Sequence, residues 1–234
     1  MLVSDPKVIV ALDFDCPEKV RQFVSRIEPG SVRLKVGKEL FTRVGPEIVQ
    51  ELIEKGFDIF LDLKFHDIPN TVAKAVQSAA ELGVWMVNVH ASGGARMMSA
   101  AREILEPYEK RPKLIAVTVL TSMEETELPE LGIQRDLDSH VLSLATLTKN
   151  SGLDGVVCSA RESIALKRAL GDDFQLVTPG IRPAGASLDD QKRIVTPVQA
   201  IRDGVDYLVI GRPITKAEDP ASVITSINQE IMSI

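Results

Sequence analysis

The chain has 234 residues, 44% hydrophobic and 4% aromatic, with a formal net charge of −6. That length suits one large α/β unit with a sizeable core. The acidic balance argues against a general nucleic-acid or anionic-membrane partner, and no apolar run nears the ~18 residues needed to span a bilayer. A cytoplasmic protein acting on a small molecule is expected.

The first apolar run, Val8 to Asp13, reads as an opening strand and not as a signal peptide. Similar runs follow at Arg33 to Gly37, Ile59 to Lys64, Met86 to Ala91 and Leu114 to Leu120. Three more lie at Gly155 to Ala160, Gln175 to Gly180 and Tyr207 to Arg212. Between them the spacing is helical, with start signals at Pro17-Glu18, Ser92-Gly93-Gly94, Thr196-Pro197 and Asp219-Pro220. Alternation of eight strands with about eight helices predicts a (β/α)₈ TIM barrel, an α/β fold, as a single domain over residues 1–234. A doubly wound sheet would more often carry a glycine fingerprint after strand one, where this chain has Ala11-Leu12-Asp13. Two connections exceed the usual 2–6 residues. One is acidic, from Thr121 to about Asp136; the other runs from about Ile181 to Val195 and contains Arg182 and Gln191. Long loops at the C-terminal ends of barrel strands are where lids and binding groups belong.

Polar residues gather at those same ends. Strand side chains alternate faces, so Asp62 and Lys64 point one way and Ile59, Leu61 and Leu63 the other. A carboxylate and an ammonium on the inner face of a buried strand are costly to desolvate. Packing gives no reason for them; chemistry does. Strand one ends in Asp13, strand two carries Lys35, strand four ends Asn88-Val89-His90, and strand eight ends Gly211-Arg212. Their convergence on one mouth is the anatomy of a barrel active site. Gly211 and Arg212 suit a phosphate, with Arg182 and Gln191 able to close over it. Ser92-Gly93-Gly94 reads first as a helix N-cap and second as a phosphate contact.

His90 reads as a supporting residue, His66 as a packing or interface residue, and His140 as exposed on a helix. Cys158 lies in an apolar run and reads as a buried free thiol. No metal-ligand spacing is present among the cysteines and histidines, although Asp62 and Asp67 leave a carboxylate-bound magnesium open.

The stretch Asp62-Leu63-Lys64-Phe65-His66-Asp67-Ile68-Pro69-Asn70-Thr71 resembles the bacterial orotidine 5′-phosphate decarboxylase family. Ala11-Leu12-Asp13, Leu34-Lys35-Val36-Gly37, Val117 to Ser122, Thr178 to Pro183 and Ile210-Gly211-Arg212 support the match, which runs from Val8 to Pro220. The resemblance implies conversion of orotidine 5′-monophosphate (OMP) to uridine 5′-monophosphate (UMP) in pyrimidine biosynthesis, without metal, cofactor or Schiff base. It implies Lys64 as proton donor flanked by Asp62 and Asp67, with Asp67 crossing between subunits of a homodimer. Ile68 and Thr71 belong to the same shared site, and Asp13 and Lys35 contact the ribose and complete the charge network, Lys35 as a catalytic residue. Thr121 and Ser122 lie by the pyrimidine, and Arg182, Gln191, Gly211 and Arg212 hold the phosphate.

Three rivals stay open on the residues alone. Magnesium-dependent sugar-phosphate enzymes share the Asp-x-Lys-x-x-Asp pattern, but Lys35 is a poor neighbour for a divalent cation. A Schiff-base aldolase would need Lys64 neutral, against the pull of two carboxylates. A nucleotide-binding barrel without catalysis would not require Lys64 in that setting.

Overall fold

The computed structural model describes residues 5–183 and 195–234. Eight strands, β1 (Val8–Ala11), β2 (Arg33–Gly37), β3 (Ile59–Phe65), β4 (Met86–His90), β5 (Lys113–Val117), β6 (Gly155–Val157), β7 (Gln175–Thr178) and β8 (Tyr207–Ile210), pair in sequence order. All are parallel, and β8 closes on β1 through Val8 with Leu208, Ile9 with Val209 and Val10 with Ile210. The expected TIM barrel is therefore present.

Helices return the chain between strands: α1 (Pro17–Val24), α2 (Lys38–Val44), α3 (Glu47–Glu54), α4 (Pro69–Glu81) and α5 (Ala95–Glu103) in the first half. The second half has α6 (Leu137–Asn150), α7 (Ser163–Leu170), α8 (Pro197–Arg202), α9 (Arg212–Thr215) and α10 (Pro220–Met232). Proline in the first turn starts α1, α4, α8, α9 and α10, where its missing N–H and preset φ cost nothing. Asp136, Thr196 and Asp219 accept hydrogen bonds from the backbone N–H groups of Ser139, Gln199 and Ser222. On α4, Val72, Ala73, Val76 and Ala79 recur at three- and four-residue spacing and are buried against the barrel. Each Val of that set contributes about 1.5–3 kcal/mol by leaving water.

Alternation divides the strands as expected. Ile9, Ala11, Phe60, Met86, Ile115, Val177, Tyr207 and Val209 fill the barrel interior. Val8, Val10, Leu12, Leu34, Val36, Ile59 and Leu61 pack outward with the helices. At the N-terminal end, buried Arg33 pairs with Asp5 at 2.8 Å and Asp58 at 3.1 Å and stacks 4.0 Å over Trp85. That end is plugged, and the opposite mouth is left for polar groups.

Several strands end sooner than their apolar runs. Single hydrogen bonds continue past the ends, from Leu12 N–H to the Lys35 carbonyl and from Thr118 N–H to that of Val157. The ladders stop there, so Asp13, Leu120 and Ala160 lie in the connections, while Arg212 begins α9. Ser92 is not the cap of α5: a short 3₁₀ turn, Ala91–Gly93, intervenes, and Gly94 at φ 85° makes the entry. The acidic connection after β5 contains a 3₁₀ segment, Glu125–Leu131, that buries Leu128. After β7, a bridge between Ile181 and Val195 joins the two ends of the long connection.

Candidate active site

The mouth of the barrel is organised around β3. Phe60, Asp62 and Lys64 share its inner side, and Phe60 forms part of the cavity floor with Ala11, Val157 and Val209. Between Leu61 and Phe65, β3 advances four residues while β4 advances two, from Val87 to Val89. The surplus is taken up in a bulge where Lys64 has φ 55°, the one positive value among described non-glycine residues. Holding a lysine there costs about 1–3 kcal/mol, and such bulges re-aim side chains. Here the turn brings the Lys64 ammonium back onto the carboxylate two residues earlier: Nζ donates to Asp62 Oδ1 at 2.6 Å.

Lys35, one strand over, pairs with Asp62 Oδ2 at 3.3 Å and with Asp13 Oδ1 at 3.4 Å. The result is an alternating row, Asp13, Lys35, Asp62, Lys64, across three consecutive strand ends. Burial alone would push the Asp62 carboxyl up. The Lys35 and Lys64 charges, with hydrogen bonds from Lys64 and Asn88, outweigh it and hold Asp62 below the ordinary carboxylate value. Each interior charge thus has an opposite neighbour, the condition under which burial of such groups is tolerated.

Asn88, at the end of strand four, is the site residue whose role the sequence does not reveal. Its side chain is fully buried, donates from Nδ2 to Asp62 Oδ1 at 2.7 Å, and accepts at Oδ1 from the Lys64 backbone N–H at 2.8 Å. The signal available from sequence was a lone amide at an inward position of an apolar strand.

A cavity of about 290 Å³ opens beside this row. Asp13, Lys35, Asp62 and Lys64 line one part; Thr121, Arg182, Gly211 and Arg212 also line it. Arg182 is buried, and its backbone N–H donates to the Val195 carbonyl at 3.1 Å. Cationic groups outnumber anionic ones in the wall, so the space suits a ligand of high negative charge. A smaller recess, about 210 Å³, shares Asp13, Lys35, Asp62 and Lys64 and opens toward Lys38 and Glu39.

Asp67, Ile68, Thr71 and Ser122 are exposed and do not line the main cavity. The Asp67 carboxylate accepts from the Ile68 N–H at 2.7 Å, and Ile68 is 66% exposed at the start of α4. Gln191 lies outside the described residues. His90 stacks on His66 with ring centroids 5.5 Å apart. Burial, then the charges of His66, Lys38 and Lys64, lower its pKa, which favours a neutral imidazole. His140 is half-buried on α6, less open than its sequence suggests. Cys158 is buried, and burial pushes its thiol up; Cys16 is half-buried. Among the described residues, no group of three or more His, Cys, Asp or Glu side chains is placed to hold a metal ion. No described helix is long and apolar enough to cross a membrane.

Residues 6–227 match the model of the orotidine 5′-phosphate decarboxylase / HUMPS family. The chain is 66% identical over 231 residues to the orotidine 5′-phosphate decarboxylase of Vibrio campbellii, covering 98% of this chain and 99% of that one. It is 66% identical over 228 residues to the enzyme of that name from Photobacterium profundum, covering 97% and 99%. Among solved structures, orotidine 5′-phosphate decarboxylase from Lactobacillus acidophilus superposes with a TM-score of 0.87 at 42% identity, covering 97% of this chain and 99% of that one.

Proposed function

Because the chain belongs to the orotidine 5′-phosphate decarboxylase / HUMPS family, we propose that it is a metal- and cofactor-free OMP decarboxylase of pyrimidine biosynthesis, working as a cytoplasmic homodimer. The observation that carries the mechanism is the row Asp13, Lys35, Asp62, Lys64, with the Lys64 ammonium 2.6 Å from Asp62 and facing a cavity with an apolar floor.

The chemistry demands such a group. Loss of carbon dioxide from a vinyl carbon leaves its electron pair localised in the ring plane, with no adjacent sink. An ammonium held against that carbon stabilises the developing charge and then transfers its proton there. The carbon–carboxylate bond breaks, a carbon–hydrogen bond forms, and the neutral lysine is reprotonated from solvent. Asp62 holds and aims the ammonium through their 2.6 Å contact, and its own charge beside the substrate carboxylate adds repulsion that is relieved as carbon dioxide departs. Asp67 of the partner subunit completes the carboxylate pair around Lys64. Exposure of Asp67, Ile68 and Thr71, and the recess that opens the row toward Lys38, support that arrangement.

Asp13 and Lys35 contact the ribose, and Thr121 and Ser122 the pyrimidine. Arg182, Gln191, Gly211 and Arg212 take the phosphate, whose binding energy serves to close the site and exclude water. Engagement of Asp62 by two ammonium groups weighs against the magnesium-dependent sugar-phosphate reading.

The test is to give chelator-treated protein OMP and follow the loss of orotate absorbance. Decay to UMP supports the proposal. No decay from correctly folded dimer would overturn it in favour of the magnesium-dependent relatives or of a barrel that only binds.

A further inference from the structure

Asn88 sits on β4 beside the bulge of β3, and its amide orientation is dictated by its partners. The Lys64 backbone N–H can only donate, so it must meet Oδ1 at 2.8 Å; the Asp62 carboxylate can only accept, so it must meet Nδ2 at 2.7 Å. The bulge takes Lys64 out of the regular β3–β4 ladder, and the Asn88 oxygen replaces the strand carbonyl that its N–H would otherwise find. The same amide holds the carboxylate oxygen that receives the Lys64 ammonium. One side chain therefore fixes both ends of the Lys64 residue, its backbone and, through Asp62, its charged tip.

We propose that Asn88 is a positioning residue that locks the bulge and the Asp62 carboxylate together so that the Lys64 ammonium is delivered to the reacting carbon. The inference rests on the reading of Lys64 as proton donor. It also assigns the amide a second consequence: the bond from Asn88 helps keep Asp62 ionised.

Two variants separate positioning from mere packing. Asn88→Ala removes both bonds, leaving the part-buried Lys64 N–H without this acceptor. Asn88→Asp preserves shape and the acceptor for Lys64 but sets a carboxyl group against the Asp62 carboxylate. Two carboxylates that close cannot both ionise. Once protonated, the new carboxyl donates to Asp62 and reproduces the amide pattern. With OMP as substrate, and kcat taken per folded molecule from circular dichroism and thermal unfolding, Asn88→Ala should lose on the order of tenfold to a hundredfold in kcat. That loss should persist across pH while KM changes little. The kcat of Asn88→Asp, relative to the unsubstituted protein, should climb as pH is lowered from about 9 to about 5.

Asn88→Ala turning over within about twofold of the unsubstituted protein would overturn the proposal. So would a loss carried by KM alone, or parallel pH profiles for the two variants. Lys64→Ala, run alongside, keeps the two readings distinct. If it stays active, the proton-donor reading falls; if it is inactive while Asn88→Ala is not, only the positioning role falls.

Discussion

Replacing Asp62 by asparagine removes one charge and one acceptor from the most crowded point of the site. The carboxylate receives Lys64 at 2.6 Å and Asn88 at 2.7 Å on one oxygen, and faces Lys35 at 3.3 Å with the other. An amide has a single acceptor oxygen, so its nitrogen must face either the Lys35 ammonium or the Lys64 and Asn88 donors. With an effective dielectric near 20, the lost attractions are roughly 6 kcal/mol at 2.6 Å and 5 kcal/mol at 3.3 Å before desolvation is subtracted. Most of that is offset by the cost of burying the ions. Removing one preorganised charged contact nets about 3 kcal/mol, or at least a hundredfold in kcat. The assay is kcat and KM for OMP from pH 5 to pH 9 at fixed ionic strength. A kcat within about fivefold of the unsubstituted protein would refute the reasoning. In the unsubstituted protein Asp62 is held below the ordinary carboxylate value of 3.8, so its stabilising effect is complete above that value and is lost as pH falls through its lower folded value. Asp62 should therefore impose no acid limb on activity between pH 5 and pH 7.

Arg212→Ala should raise KM for OMP on the order of a hundredfold while barely altering turnover of the unphosphorylated nucleoside; equal losses on both would refute phosphate binding by this residue. Lys64→Ala and Asp67→Ala proteins, each inactive alone, should recover up to about a quarter of the unsubstituted activity when mixed, because random pairing makes half the dimers hybrid with one intact site each. No recovery, with subunit exchange confirmed by mass spectrometry, would place Asp67 outside the shared site.

Period-two alternation carried much of the fold and the row of charges, because it survives any small error in where a strand stops. Ile9 and Ala11 lie inside and Val8 and Val10 against the helices, as that period requires. Strand ends were less legible: apolar character continues through Leu120 and Ala160 after the ladder has ended, Ala160 buried in a 3₁₀ turn but Leu120 43% exposed in the connection after β5. The bulge at Lys64 was not legible at all. Nothing in Asp62-Leu63-Lys64 announces a left-handed lysine, which exists because β4 supplies Asn88 at the right register. For the same reason the partners of Asn88 could not be read from one strand. Arg182 stands in a connection that sequence alone reads as loop; it is buried beside the Ile181–Val195 bridge, with its N–H bonded to the Val195 carbonyl. Asp67 is a different case: its assigned place depends on a second copy of the chain, and within one copy it bonds only its own neighbour among the interactions described.

Lys64→Ala, compared with the unsubstituted protein, both chelator-treated and given OMP, with circular dichroism confirming the barrel in each, tests the central claim most directly. Rapid loss of orotate absorbance in the unsubstituted protein, and none above background in the variant, is the expected result. Substantial turnover by the folded variant would contradict Lys64 as the proton donor and with it the mechanism derived from the Asp13, Lys35, Asp62, Lys64 row.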